Sequence, residues 1–145
     1  MLESQTGSFQ VEQEIKSNTD LVRSTYEGSS AEKTRNLLAL LAPQIDWTEA
    51  EGFPYGGTYT SAESIMENVF KRISAEWIDY RSEIEQFVAE KDTVVVFGWY
   101  IGTYRATNRA MRASFAHRWV LRDGKVVRFF QYVDSHAMRR AMLPA

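Results

Sequence analysis

Between Asp79 and Val133 four segments rich in β-branched and aromatic residues follow one another, divided only by short turns. Runs of this composition read as strands, and turns this short make neighbouring strands antiparallel. The last turn, Asp123-Gly124, has the residue pair that a type I′ hairpin requires. Ahead of this meander lies helical sequence carrying Ser/Thr-x-x-Glu start signals. Three helices followed by long antiparallel strands predict an α+β fold in which a curved antiparallel sheet wraps around the helices. That arrangement encloses a blind, largely apolar pocket, and so points to function on a small apolar molecule.

The chain of 145 residues is expected to form one domain, residues 1–145, with residues 1–11 as a flexible lead-in. Its formal net charge of -2 supplies no basic surface for nucleic acid. It has no cysteine, which excludes disulfides, thiolate nucleophiles and thiolate metal sites. The first residues lack the basic and apolar regions of a signal peptide. No apolar run approaches the roughly 18 residues that a membrane span needs. These features predict a cytoplasmic protein without membrane or nucleic-acid partners. Aromatic residues reach 13%, with four tryptophans, a choice that suits both cores and ligand pockets.

Ile15, Val22 and Tyr26 recur at helical spacing over residues 12–26, with Thr19 filling the stripe. Gly28-Ser29-Ser30 breaks this helix. Ser29 and Glu32 form a capping-box pattern that opens a second helix over residues 31–41, with Leu37, Leu38 and Leu41 on one face and Pro43 ending it. Residues 45–50 read as a short strand, and residues 51–59 as a glycine- and proline-bearing loop. Thr60 and Glu63 repeat the capping signal for a third helix, to about Ala75. Strands are predicted over residues 79–90, 93–105, 110–122 and 125–133. Gly98 and Gly102 interrupt the second of these, marking bends or bulges. A short helix over residues 135–142 closes the chain.

The segment from Trp47 to Tyr59 (WTEAEGFPYGGTY) precedes a helix with Ile65 and Phe70. Phe115 to Asp134 (FAHRWVLRDGKVVRFFQYVD) ends the strand region. Together these segments resemble the SnoaL-like, ketosteroid-isomerase-related branch of the nuclear transport factor 2-like superfamily. The likeness runs from about Glu12 to Met142. It implies a cone of three helices packed into a highly curved sheet, usually dimeric. Members of that group include isomerases, polyketide cyclases and epoxide hydrolases, so the likeness alone leaves the reaction open.

Alternation along residues 110–122 sets Met111, Ala113, Phe115, His117, Trp119 and Leu121 on one face. His117 therefore points among large apolar groups, where burial favours neutral imidazole. By resemblance its position is similar to that of the strand acid that stabilises the oxyanion in ketosteroid isomerases. The alternative is a core histidine bonded to a neighbour. Glu49 shares a face with Ile45 and Trp47, and its place is similar to that of the isomerases' catalytic base. A carboxylate in an apolar pocket suits abstraction of a proton beside a carbonyl. Glu51 is the alternative carboxylate, and reads more simply as an exposed loop charge. Asp134, at the end of the last strand, is similar to an acid of the SnoaL-like pattern, yet it reads more simply as a favoured N-cap for the final helix. Gln131 stands where the cyclase acid of that pattern is expected, which argues against cyclase chemistry. In place of the isomerases' first-helix tyrosine the chain has Val22, with Tyr26 one turn later.

Trp47, Tyr55, Trp99, Phe115, Trp119 and Tyr132 are the expected pocket lining, with core packing as the alternative for each. Tyr100 and Tyr104 are assigned to the convex face, as part of a homodimer interface through the sheet. Arg118 points away from His117, which leaves no Asp–Arg–Asp arrangement for epoxide hydrolysis. No phosphate loop, nucleophile triad or metal-spaced histidine cluster occurs, and no cofactor is expected. The resemblance and the two inward groups imply a ketosteroid-isomerase-like enzyme. It would act on an apolar carbonyl compound, with Glu49 as base and His117 steadying the oxyanion. A binding protein that holds an apolar ligand without turnover is the alternative, and a dimeric interaction module a third.

Overall fold

Ser29 and Gly28 show how local chemistry starts the fold. Gly28 takes a positive φ of 93°, and the Ser29 hydroxyl accepts the Glu32 amide at 3.1 Å. These residues separate helix α1 (Leu2–Arg23) from α2 (Ser30–Leu40) in the computed structural model, which describes residues 2–145. Helix α1 begins ten residues before the predicted start. Residues 7–14 of it are exposed, so this part of the expected lead-in is helix without burial; Met1 lies outside the described residues. Helix α2 buries Leu37 and Leu40 rather than Leu38, which is exposed.

Strand β1 (Leu41–Glu49) follows at once. Pro43 therefore lies within a strand instead of ending the helix. It sits where the β1 ladder is interrupted between Leu41 and Asp46, a place that tolerates a residue without an N–H. After a turn comes the short strand β2 (Gly57–Tyr59). Helix α3 (residues 62–76) has a π-helical turn at Met66–Phe70. Its N-cap is Ser61, whose hydroxyl accepts the Ser64 amide, one residue later than predicted.

Strands β3 (Trp77–Glu90), β4 (Thr93–Tyr104), β5 (Arg109–Arg122) and β6 (Lys125–Val133) form the expected meander. Both residues of the Asp123-Gly124 turn have positive φ, at 51° and 74°, as a type I′ turn requires. Helix α4 (Ser135–Met142) packs Ala137, Met138 and Ala141 against the sheet. The sheet order is β2-β1-β6-β5-β4-β3. Every pairing is antiparallel except β1 with β6, so the sheet is mixed rather than wholly antiparallel. Interruptions in register bend it: two in β3 opposite β4, and one in β6 opposite β5. The bulges fall on β3, across from Gly98 and Gly102, and not on the glycine-bearing strand itself. A Cβ at Gly98 would lie 2.8 Å from the Phe115 ring, so glycine there admits the aromatic side chain.

The curved, unclosed sheet and its helices bury two apolar clusters. One contains Val22, Ile45, Trp47, Trp119 and Phe129; the other contains Phe53, Tyr55, Trp77, Tyr100, Phe115 and Met138. No helix among the described residues is long and apolar enough to cross a membrane.

Candidate active site

The predicted alternation of β5 holds: Met111, Ala113, Phe115, His117, Trp119 and Leu121 are all buried. In β1 the inward row Ile45, Trp47 and Glu49 is likewise buried. The two candidate groups therefore enter the same interior from different strands. They do not touch. Between them lies Gln131 of β6, 2% exposed and paired in register with both Glu49 and His117.

A continuous hydrogen-bond chain joins these groups. Trp119 Nε1 donates to the Tyr26 hydroxyl at 3.0 Å, and that hydroxyl lies 2.6 Å from His117 Nδ1. On the other side of the ring, His117 Nε2 lies 2.5 Å from the Tyr100 hydroxyl and 3.2 Å from Gln131 Oε1. The Tyr100 hydroxyl donates to Gln131 Oε1, and Gln131 Nε2 donates to Glu49 Oε2. Trp47 Nε1 completes the chain, donating to Glu49 Oε1 at 2.8 Å.

The direction of the chain follows from what each group can do. Indole N–H only donates, so the Tyr26 oxygen accepts from Trp119 and its proton goes to His117 Nδ1. Nδ1 is then unprotonated and Nε2 carries the ring proton, directed at Tyr100. Tyr100 passes its own proton to the Gln131 carbonyl, and the Gln131 amide faces the carboxylate. Reversing the order would leave Tyr26 with two incoming donors and a proton without an acceptor in the chain. His117 is thus neutral, with every polar atom matched.

Burial dominates the electrostatics. It pushes the Glu49 carboxyl up to about 8, against the opposing hydrogen bonds from Trp47 and Gln131. It pushes His117 down to about 3, opposed by the hydrogen bond to Gln131. Burial raises the Tyr26, Tyr59, Tyr80 and Tyr100 hydroxyls, and the Glu49 charge raises each further. Stacked rings hold the imidazole flat: Phe115 lies 4.1 Å from it, centroid to centroid, with 17° between the planes. Trp47 stacks on Phe129 at 3.7 Å.

The predicted lining divides. Trp47, Phe115 and Trp119 belong to the cluster, and Tyr55 is buried nearby, its hydroxyl accepting Trp77 Nε1 at 2.9 Å. Trp99 and Tyr132 do not line the interior. Trp99 lies on the outer face, with Arg112 over its ring at 3.7 Å, and Tyr132 is 49% exposed. Tyr100 and Tyr104 correct the opposite error. Tyr100 is buried at the heart of the cluster, and Tyr104 packs on Trp77. The signal for Tyr100 was in the sequence: Gly98 and Gly102 share its face and clear room beside it. Gln131 and Tyr26, weighed only as departures from a pattern, are members of the chain. Asp134 is an exposed cap, accepting the Ala137 amide at 3.1 Å, and stands apart from Glu49 and His117. Glu51 is exposed.

The space beside the cluster is an open cleft of about 590 Å³ that reaches Tyr26, not the enclosed apolar pocket expected around Glu49 and His117. It lies between Arg23, Tyr26 and Glu27 on one side and Ser82, Ile84 and Phe87 of β3 on the other. Among the described residues no group of His, Cys, Asp and Glu is placed to hold a metal ion.

Residues 22–129 match the family model of the SnoaL-like domain. An NTF2-like protein from Burkholderia thailandensis E264 is 38% identical, covers 88% of this chain and 98% of its own, and superposes with a TM-score of 0.83. An NTF2-like protein from Burkholderia pseudomallei K96243 is 25% identical over 86% of this chain and 96% of its own, with a TM-score of 0.78. TerC, co-crystallized with polyporic acid, is 25% identical over 87% of this chain and 98% of its own, with a TM-score of 0.77. No curated protein matches the sequence.

Proposed function

The chain belongs to the SnoaL-like domain family, and from that premise we propose that it acts without cofactor on an apolar carbonyl compound. Glu49 takes a proton from the carbon beside the carbonyl, and the neutral His117 network steadies the oxygen that becomes negative. One observation carries this reading: a carboxyl held in an aromatic interior, with its pKa pushed up to about 8. A base poised near neutrality is what proton abstraction at physiological pH requires. His117 serves indirectly, since both its nitrogens already face tyrosine hydroxyls. Its part is to hold Tyr26 and Tyr100 in place as a neutral relay. The co-crystallization of TerC with polyporic acid supports a small organic ligand for this chain.

Two copies pair through the convex face of the sheet in this proposal. Phe97 and Tyr132 are 38% and 49% exposed there, and the Phe130 ring packs tilted against Tyr132, centroids 4.5 Å apart. Covering these rings removes apolar surface from water.

A specific observation favours the second reading, a ligand-binding protein without turnover. The chain from Trp119 to Glu49 satisfies itself, and Gln131 within it cannot exchange protons. The two readings separate by experiment. Cyclic β,γ-unsaturated ketones are incubated with the protein in deuterated buffer, and exchange at the carbon beside the carbonyl is followed by NMR. Catalysis predicts exchange above buffer that falls by about a hundredfold or more in Glu49→Gln. Binding of the ketones with exchange no faster than buffer refutes the enzyme reading and leaves the binding protein.

A further inference from the structure

Tyr80 has a hydroxyl that is buried and without a hydrogen-bond partner among the described residues. The other interior phenols differ. Tyr26 and Tyr100 belong to the chain around His117, Tyr55 accepts from Trp77, and Tyr59 donates to the Tyr55 carbonyl at 2.9 Å. Leaving a buried hydroxyl unmatched opposes folding, so such groups are rare and call for a reason.

The backbone is shaped to place this side chain. Ile78 pairs with Thr103 and Arg81 with Ile101, so Asp79 and Tyr80 together oppose Gly102 alone. Two residues facing one is a β-bulge. Asp79 sits there at φ 52°, a left-handed conformation that a non-glycine residue adopts at some cost. The extra residue changes which way Tyr80 points. Trp77 and Tyr80 are three apart, which in a regular strand sets them on opposite faces; here both turn inward, their rings 5.8 Å apart. Gly102 permits the close approach, since a Cβ there would lie 3.3 Å from Tyr80 Cα and Cδ2.

The surroundings say what the hydroxyl faces. Its ring lies 5.2 Å from that of Tyr100, and burial raises its hydroxyl well above the ordinary phenol value, with the Glu49 charge adding to this. Along β3 the inward residues after Tyr80 are Ser82 and Ile84, both walls of the open cleft beside Tyr26. One row of side chains thus leads from the cleft to a free donor beside Tyr100.

We propose that the Tyr80 hydroxyl donates the hydrogen bond that receives the oxygen of a planar apolar ligand, a carbonyl or phenol oxygen, placed against Glu49. This rests on the reading of Glu49 as the site carboxylate. Tyr80 is then a binding residue, and its unmatched hydroxyl in the empty protein is matched by the ligand. The Tyr26, Tyr100, Trp47 and Trp119 donors nearby each already have an acceptor. Tyr80 can bond an incoming oxygen without another bond being broken.

The test uses the full chain, its Tyr80→Phe variant, and two probes with the same ring system, 2-naphthol and naphthalene. Binding is followed by titration and thermal unfolding without ligand. Tyr80→Phe is expected to weaken 2-naphthol by about tenfold, the worth of one hydrogen bond, and to leave naphthalene unchanged. Without ligand the variant is expected to unfold at the same temperature or higher, because the group removed had no partner. A packing role alone gives neither the selective loss nor the unchanged stability. Equal 2-naphthol affinity in wild type and variant overturns the proposal, as does a drop of several degrees in the unfolding temperature of the free variant. If Glu49→Gln alters 2-naphthol binding while Tyr80→Phe does not, the role of Glu49 stands and that of Tyr80 falls. If the wild type binds neither probe, both fall.

Discussion

Replacing Glu49 by glutamine tests the central electrostatic claim, because its effect on stability must change sign with pH. The folded chain keeps the Glu49 proton to about pH 8, whereas the unfolded chain releases it near 4.5. Between those values the folded state binds more protons than the unfolded state, so stability falls as pH rises, by about 1.4 kcal/mol per pH unit. Over the whole window this reaches about 5 kcal/mol, with no discount for exposure, since the side chain is buried. Glutamine removes that loss and introduces another. Its oxygen must face the Trp47 indole, so its amide meets the Gln131 amide, donor against donor. Either that clash persists, or Gln131 turns and the reversal runs back to Tyr26, leaving one hydroxyl proton unmatched. Both outcomes cost about 1–3 kcal/mol. Glu49→Gln is therefore expected to be less stable than wild type at about pH 4.5, and more stable above about pH 8.5 by roughly 2–4 kcal/mol. The assay is urea unfolding followed by tryptophan fluorescence at several pH values and one protein concentration. Parallel stability profiles for the two proteins would refute a raised Glu49 pKa, and proton abstraction by this group with it.

Two further substitution and titration experiments address the remaining candidates. His117, held down to about 3, is expected to show no NMR titration from pH 8 to about 4, with Nε2 protonated and Nδ1 not. A midpoint near the free-imidazole value, or the opposite tautomer, would break the assigned direction of the chain. His117 also makes the fold sensitive to acid: below 6.5 the unfolded state takes up a proton that the folded state refuses, so stability falls as pH drops from 6.5 toward 3. Asp134→Ala is expected to cost about 1 kcal/mol by loss of the cap, and to leave 2-naphthol binding unchanged. Weakened binding at unchanged stability would return Asp134 to the site.

Which parts of this arrangement the sequence disclosed depends on how each strand encodes its faces. In β5 the inward set is large and apolar and the outward set contains Arg112, Ser114 and Arg118, so His117 could be placed by counting. The row Ile45, Trp47 and Glu49 was legible for the same reason. In β4 both faces are apolar, Val94 and Val96 against Val95 and Phe97, and hydrophobicity does not say which is inward. Trp99 and Tyr100 were exchanged on that account. In β6 the register break near Val126 shifts the alternation, which turns Gln131 inward and Tyr132 out. A bulge leaves no hydrophobic signature, and Tyr80 was hidden for the same reason. The parallel pairing of β1 with β6 joins segments at opposite ends of the chain, and no local pattern reports it. Asp134 was ambiguous only because a good cap and a site acid are the same residue type.

The direction of the buried chain ties these observations together. Trp119 can only donate, and that single constraint fixes the Tyr26 proton, the His117 tautomer, the Tyr100 proton and the Gln131 amide in turn. All of them point toward Glu49, which accepts from Gln131 and from Trp47 whether or not it is ionised. Such an arrangement favours the carboxylate without supplying a counter-charge, and burial opposes it more strongly, which places the balance near neutral pH. A saturated chain of this kind holds its members still, and the proton it can still offer a ligand is that of Glu49, which the folded chain keeps to about pH 8. Affinity for an oxygen can also come from outside the chain, where Tyr80, packed against Tyr100, has its donor unused. Turnover, by contrast, depends on Glu49 alone becoming ionised beside a carbon acid. Binding and catalysis thus rest on different residues, so removing the Tyr80 hydroxyl and removing the Glu49 charge must produce separable losses.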